Sequence, residues 1–152
     1  MGITIREIEL NELDKAVSVL NHLPEFDTIF YRKKLYNRLE KSEAIILIAE
    51  FAGKPIGCKI AYNRYFDGSV YSWLGGVLPP FREQGTASLL LEKLENEARK
   101  RFFSSIRMKT RNRHIDMLRF VLKRKFQICG FELKDRLLEA RIELVKKLDE
   151  RE

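Results

Sequence analysis

Between Val77 and Ala98 the chain passes from a strand pattern to a helical one through a proline-rich turn, and this passage constrains the fold more than any other segment. Residues 69–77 read as a strand in which Val70, Ser72 and Leu74 oppose Tyr71, Trp73 and Gly75. Pro79 and Pro80 stop it, and Ala87, Leu90, Leu91, Leu94 and Ala98 then recur at i, i+3, i+4, i+7 and i+11, the spacing of one helix face. The connecting residues Arg82, Glu83, Gln84, Gly85, Thr86, Ala87 and Ser88 put glycine and small side chains at the helix start. The first amides of a helix have no internal acceptor and sit at the positive end of its dipole, so an anion placed there gains several hydrogen bonds. A plain turn at Gly85, with Thr86 or Ser88 as a cap, fits the local pattern equally well. The spacing matches neither the Walker A loop nor the Gly-x-Gly-x-x-Gly dinucleotide fingerprint, which disfavours nucleotide hydrolysis and hydride transfer.

The flanking segments supply the rest of the architecture. Residues 3–8 alternate well enough for an opening strand, and Leu13, Ala16, Val17 and Leu20 then mark a helix ended by Pro24. A second helix is expected after Asp27, with Ile29, Phe30, Leu35, Tyr36 and Leu39 on its apolar side. The continuous apolar run 44–51 reads as a buried strand, turning at Gly53-Lys54-Pro55 into a partner over residues 56–64. Beyond the central helix come a short strand at 105–109, a basic helix over about 113–125 with Ile115, Leu118 and Leu122 inward, and a strand at 126–133. Leu138, Ala140, Ile142 and Leu144 then alternate as a last strand, before a charged tail from residue 146. The predicted order is β α α β β β α β α β β, a mixed α/β arrangement around one sheet, within one domain spanning residues 1–152.

Cys58 and Cys129 are isolated and read as small apolar residues, and His22 and His114 have no partner at metal-ligand spacing, so no metal is expected. No apolar run approaches the roughly 20 residues that span a bilayer, and the first residues lack the order of a signal peptide. A cytoplasmic protein without membrane contact is expected. A net charge of +7 invites a polyanion. Residues 99–125 are rich in Arg and Lys, but a strand between their two helices argues against a helix-turn-helix. A nucleic-acid partner is therefore disfavoured.

The run Val77-Leu78-Pro79-Pro80-Phe81-Arg82-Glu83-Gln84-Gly85-Thr86-Ala87 resembles the acetyl-CoA signature of the GNAT N-acetyltransferases, V-x-P-x-x-R/Q-x-x-G-x-G/A, at every fixed position. The family's element order also matches the predicted one. The resemblance implies a GNAT acyl-CoA N-acyltransferase fold and transfer of an acetyl group from acetyl-CoA to a primary amine by direct attack. By similarity, the backbone at Val77 and Leu78 would meet the pantetheine arm and the thioester carbonyl, aided by a bulge at Gly75-Gly76. Amides from Arg82 to Ser88 would take the pyrophosphate, and Asn112 would contact the cofactor arm or simply cap a helix. The sequence departs from the family where a tyrosine, the proposed acid, precedes a Gly-Phe pair by four residues. One alignment places Phe126 there and the other, preferred because it leaves a helix of ordinary length, places Val121; neither supplies a hydroxyl.

For the base, the strands offer Glu50 and Asp67, with Glu50 the better candidate and a solvated surface carboxylate its competing role. Tyr62, Tyr65, Tyr71 and Trp73 could line an acceptor pocket or belong to the core. The acceptor amine, on a small molecule or a protein, is not defined by the sequence, and the edge of the last strands leaves a homodimer open. A non-catalytic acyl-CoA-binding protein and a basic nucleic-acid-binding module are the alternatives to the enzyme.

Overall fold

The computed structural model describes residues 2–148. Seven strands form one sheet: β1 (Ile3–Ile8), β2 (Ala44–Phe51), β3 (Lys54–Tyr62), β4 (Ser69–Val77), β5 (Ser105–Arg111), β6 (Gln127–Glu132) and β7 (Arg141–Lys147). Their spatial order is β1-β2-β3-β4-β5-β7-β6, and only β4 and β5 run parallel. Four α-helices complete the predicted order: α1 (Leu13–Leu20), α2 (Arg32–Leu39), α3 (Thr86–Lys100) and α4 (Ile115–Lys123).

β2 is apolar from Ala44 to Ala49 because both its faces are covered there. Ile45, Leu47 and Ala49 join the core under α3 and α4, whereas Ile46 and Ile48 join the core under α1 and α2. The helical spacing in 87–98 serves the same purpose, since Leu90, Leu91, Leu94 and Ala98 are all buried against the sheet. Burying four such side chains contributes several kcal/mol at about 25 cal/mol per Å² of apolar surface.

Several boundaries differ from the sequence reading. Helix α2 starts at Arg32, well after Asp27, because the Asn21 side chain accepts a hydrogen bond from Phe30 N–H at 2.8 Å and donates one to Phe30 C=O at 2.9 Å. That pairing mimics a strand neighbour and holds the approach to the helix extended, leaving Ile29 exposed. The β2–β3 turn is Ala52-Gly53, both residues at positive φ as a two-residue hairpin requires, so Lys54 and Pro55 already belong to β3. Leu138 lies in a 3-10 turn (Leu137–Glu139) and is exposed. The carbonyls of Leu138 and Ala140 accept from Arg113 and Asn112, so β7 begins only at Arg141. In α4 the inward residues are Leu118 and Val121, while Ile115 and Leu122 are exposed. Lys146 and Lys147 are part of β7 and Leu148 is buried in the core; residues 149–152 of the expected charged tail lie outside the described residues. Cys58 is buried as expected, with its thiol pushed up to about 12, whereas Cys129 is exposed on the edge strand β6.

The expected bulge at Gly75-Gly76 lies instead at Trp73. The β3–β4 register steps from Ile60↔Leu74 to Ala61↔Ser72, which leaves Trp73 without a partner. The two glycines answer to space. A Cβ on Gly75 would stand 2.8 Å from the Cys58 carbonyl oxygen, and one on Gly76 would stand 2.6 Å from Cδ1 of Leu23. A backbone oxygen inside a sheet yields less than a side-chain tip. Gly75→Ala should therefore lower stability by about 1–3 kcal/mol, the usual cost of overpacking, as read by urea unfolding.

The basic segment does not form a helix-turn-helix, because β5 separates α3 from α4 as an interior strand. Among the described residues no helix is long and apolar enough to cross a membrane, and no group of three or more His, Cys, Asp or Glu could hold a metal.

Candidate active site

β4 and β5 are paired from Ser69↔Ser105 to Ser72↔Met108 and no further, although β4 runs on to Val77 and β5 to Arg111. The bulge at Trp73 turns β4 away where the pairing ends, and the two strand ends open as a fork. At its tip Leu78 N–H donates to Ile56 C=O at 2.8 Å, on the β3 side. Backbone groups of successive strand residues point to opposite edges, so the N–H and C=O of Val77 face the fork. Leu78 C=O also accepts from Phe81 N–H at 2.9 Å. Both main-chain groups of Leu78 are thus committed within the protein, which corrects the expectation that Leu78 offers an amide to the cofactor arm.

Arg82 closes this corner. Its Nε donates to the Val77 carbonyl at 2.7 Å, and its two terminal nitrogens grip the Glu25 carboxylate at 2.7 and 2.8 Å. The Arg82 N–H donates to Pro79 C=O at 3.2 Å. Arg82 therefore braces the corner, and its main-chain N–H is not free for a phosphate, unlike the expectation. The Arg82 guanidinium holds the Glu25 carboxyl below the usual carboxylate range. A carboxyl with a depressed folded pKa adds stability above its unfolded value, about 4.3, and loses it as pH falls through the folded value. The stability gap between wild type and Glu25→Gln should accordingly stay constant from pH 7 to about 5 and close in more acid solution, as followed by denaturant unfolding at each pH.

Past Arg82 the backbone is shaped for an anion. Glu83 has φ 62° and Gly85 φ 83°, both left-handed, and α3 follows directly. The first helical bond is Leu89 N–H to Gly85 C=O. The amides of Glu83, Gln84, Gly85, Thr86, Ala87 and Ser88 therefore reach no backbone acceptor among the described residues. A Cβ on Gly85 would meet nothing within 4 Å, so the space above it is open. Thr86 Oγ1 is buried without a hydrogen-bond partner. Neither Gly85 nor Thr86 caps the helix through a side chain. An amide cradle, an orphan hydroxyl and a clear approach fit the diphosphate of a CoA.

The opposite wall begins at the end of β5. Asn112 donates its side-chain amide to Leu137 C=O at 3.2 Å, and His114 stands as the α4 cap residue, so Asn112 ties down the β6–β7 connection and does not cap the helix. The His114 imidazole is held below its ordinary pKa by burial and by the charges of Arg113 and Arg111, with Glu25 and Glu139 acting in the other direction. Helix α4 ends with Lys125 at φ 72° and Phe126 N–H bonded to Val121 C=O, a left-handed C-terminal turn in which glycine is the usual residue. Lys125-Phe126 thus fills the place of the Gly-Phe pair. That geometry favours the alignment with Val121 at the tyrosine position, and Val121 is buried in the core.

Glu50 is not brought to the fork. It lies two strands away from β4 on β2, where Arg6 bonds it at 2.8 Å and holds its carboxyl low. Asp67 accepts from Ser69 and is likewise held low. Tyr62, Tyr71 and Trp73 pack edge to face at 5.6–6.0 Å with Tyr62 and Tyr71 buried, and Arg38 and Arg64 lie over Trp73 and Tyr71. Tyr65 is exposed, packs against Tyr71 at 5.9 Å, and with it lines a small pocket beside Met108 and Lys109 where the β4–β5 pairing ends. The sequence reading missed Glu25, whose partner is 57 residues away, and Arg124, which donates to the Ser88 hydroxyl from the end of α4.

A forked mixed sheet with an amide cradle between its fourth strand and third helix is the architecture of acyl-CoA N-acyltransferases. The model of the acetyltransferase (GNAT) family matches residues 9–126, and the chain belongs to that family. It is an acetyl-CoA-dependent N-acetyltransferase. Solved structures share the fold. The ribosomal-protein-S18-alanine N-acetyltransferase from Escherichia coli superposes with a TM-score of 0.83 at 16% identity, over 99% of this chain and 97% of that chain. Ard1 from Thermoplasma volcanium gives 0.81 at 18% identity, over 99% and 100%. The structure of yncA from Salmonella typhimurium with its cofactor acetyl-CoA gives 0.77 at 18% identity, over 100% and 97%. No curated protein sequence matches the chain.

Proposed function

We propose that residues 1–152 act as one catalytic unit in which a neutral primary amine attacks directly in the fork between β4 and β5, without a covalent enzyme intermediate. The observation that carries this reading is the fork itself: pairing ends at Ser72↔Met108, and Val77 N–H is left facing the gap beside the amide cradle. Acetyl-CoA, when bound, supplies the activated thioester. Val77 N–H is placed to donate to an oxygen in the fork, and a preorganised donor of this kind gains strength where charge develops. Glu83 to Ser88 bind and orient through their main-chain N–H groups, which raises the effective concentration of the two reactants.

The proton released by an ammonium acceptor needs a base at the mouth. Glu50 is too far and too acidic, and Glu25 is committed to Arg82. His114 has a ring without a hydrogen-bond partner among the described residues and is kept neutral at pH 7 by its surroundings. It takes the proton at a ring nitrogen in this reading, directly or through water. With Val121 at the tyrosine position no side-chain acid is assigned, and water protonates the departing thiolate.

Thermal unfolding with and without CoA and acetyl-CoA tests the first step, since a ligand that binds only the folded state raises the melting temperature by mass action. A shift with both, followed by thiol release in a panel of small-molecule and peptide amines, supports the reading. No shift with either overturns it.

A further inference from the structure

We propose that Arg124 is a diphosphate clamp, a cation supplied by α4 to close the amide cradle of α3 over the CoA diphosphate. The inference rests on the acetyl-CoA reading of the cradle. Arg124 follows α4 directly, and three contacts fix its guanidinium. One terminal nitrogen donates to the Ser88 hydroxyl and the other to Phe120 C=O at 3.3 Å, while the guanidinium carbon lies 3.8 Å above the centre of the Phe120 ring. Ser88 is the third residue of α3, so the charge stands at the rim of the unpaired amides.

Arg82, on the other side of the cradle, is paired with Glu25, whereas Arg124 has no carboxylate partner among the described residues. It also sits at the positive end of the α3 dipole, where a cation is disfavoured. A guanidinium held there gains only when an anion is shared between it and the helix amides. Thr86 Oγ1, buried and unpartnered in the same turn, points independently to a missing acceptor. Two adjacent phosphates answer all three demands: they accept from the amides, from Thr86 and from the planar fork of Arg124.

Titration calorimetry with CoA and with 3′-dephospho-CoA tests the clamp in wild type, Arg124→Ala, Arg124→Gln and Arg124→Lys. Arg124→Gln keeps a donor for Ser88 while removing the charge, so the comparison survives even if the alanine variant folds poorly. The expected result is a loss of about 30-fold for both nucleotides in the uncharged variants, the size of a charge-assisted hydrogen bond, with partial recovery in Arg124→Lys. Unchanged affinity in Arg124→Gln overturns the proposal. A loss confined to CoA also overturns it, since the bound anion would then be the 3′-phosphate. Wild type that binds neither nucleotide defeats the acetyl-CoA reading itself, a result distinguishable from the other two.

Discussion

Gly85→Glu is expected to weaken CoA binding by roughly 100-fold or more. Three costs converge. Gly85 has φ 83°, so any side chain there adopts a left-handed backbone at about 1–2 kcal/mol. The Cβ enters the open space above the cradle, where nothing lies within 4 Å and where a ligand must come close. A carboxylate then competes for the same amides and repels the phosphates. Gly85→Ala separates these costs, because it adds strain and one methyl without charge, and should lose about tenfold or less. Calorimetry with CoA, alongside a far-ultraviolet melt to confirm folding, reads both variants. Equal affinity in wild type and Gly85→Glu would remove the diphosphate from this turn.

Val77→Pro should reduce turnover by about 100- to 1,000-fold, the range found when one preorganised donor is removed from a developing oxyanion. The substitution deletes a single N–H, and that N–H is not needed by the sheet. It is Leu78, the next residue, that bonds Ile56 C=O on the β3 side, and the Val77 carbonyl remains available to Arg82. Affinity for CoA should fall much less than kcat, because the cradle beyond Arg82 is untouched. If kcat and affinity fall by the same factor, the amide merely holds the arm of the ligand and takes no part in the chemistry. The amine that gives the fastest thiol release in the panel serves for the measurement.

The strands and the central helix were readable because each states its partner's face through a short local period. β2 is continuous because it is covered on both sides, and Leu90, Leu91, Leu94 and Ala98 sit at helical spacing because one face of α3 lies on the sheet. The motif from Val77 to Ala87 located the cradle for a related reason, since glycine at φ 83° and the start of α3 are local events. What escaped the sequence was the choice of partner over distance. Nothing near Glu50 announces that Arg6 neutralises it from 44 residues away, and the motif arginine, Arg82, spends its guanidinium on Glu25 across 57 residues. Asn21 delayed α2 by imitating a strand opposite Phe30, a contact that helical periodicity cannot register. The family's missing tyrosine was visible at once, but its resolution needed the left-handed Lys125, which showed where α4 stops.

Arg82 stands where a neighbouring strand would have been satisfied. A parallel pair propagates like a zipper, each ladder bond bringing the next groups into reach, and β5 has free main chain up to Arg111 with which to continue. The bulge at Trp73 stops that propagation at the base, and by capping the Val77 oxygen and anchoring itself to Glu25 the guanidinium holds the far tip apart. The cleft is in that sense a wedge kept apart by a side chain, and its opening is built into the fold itself.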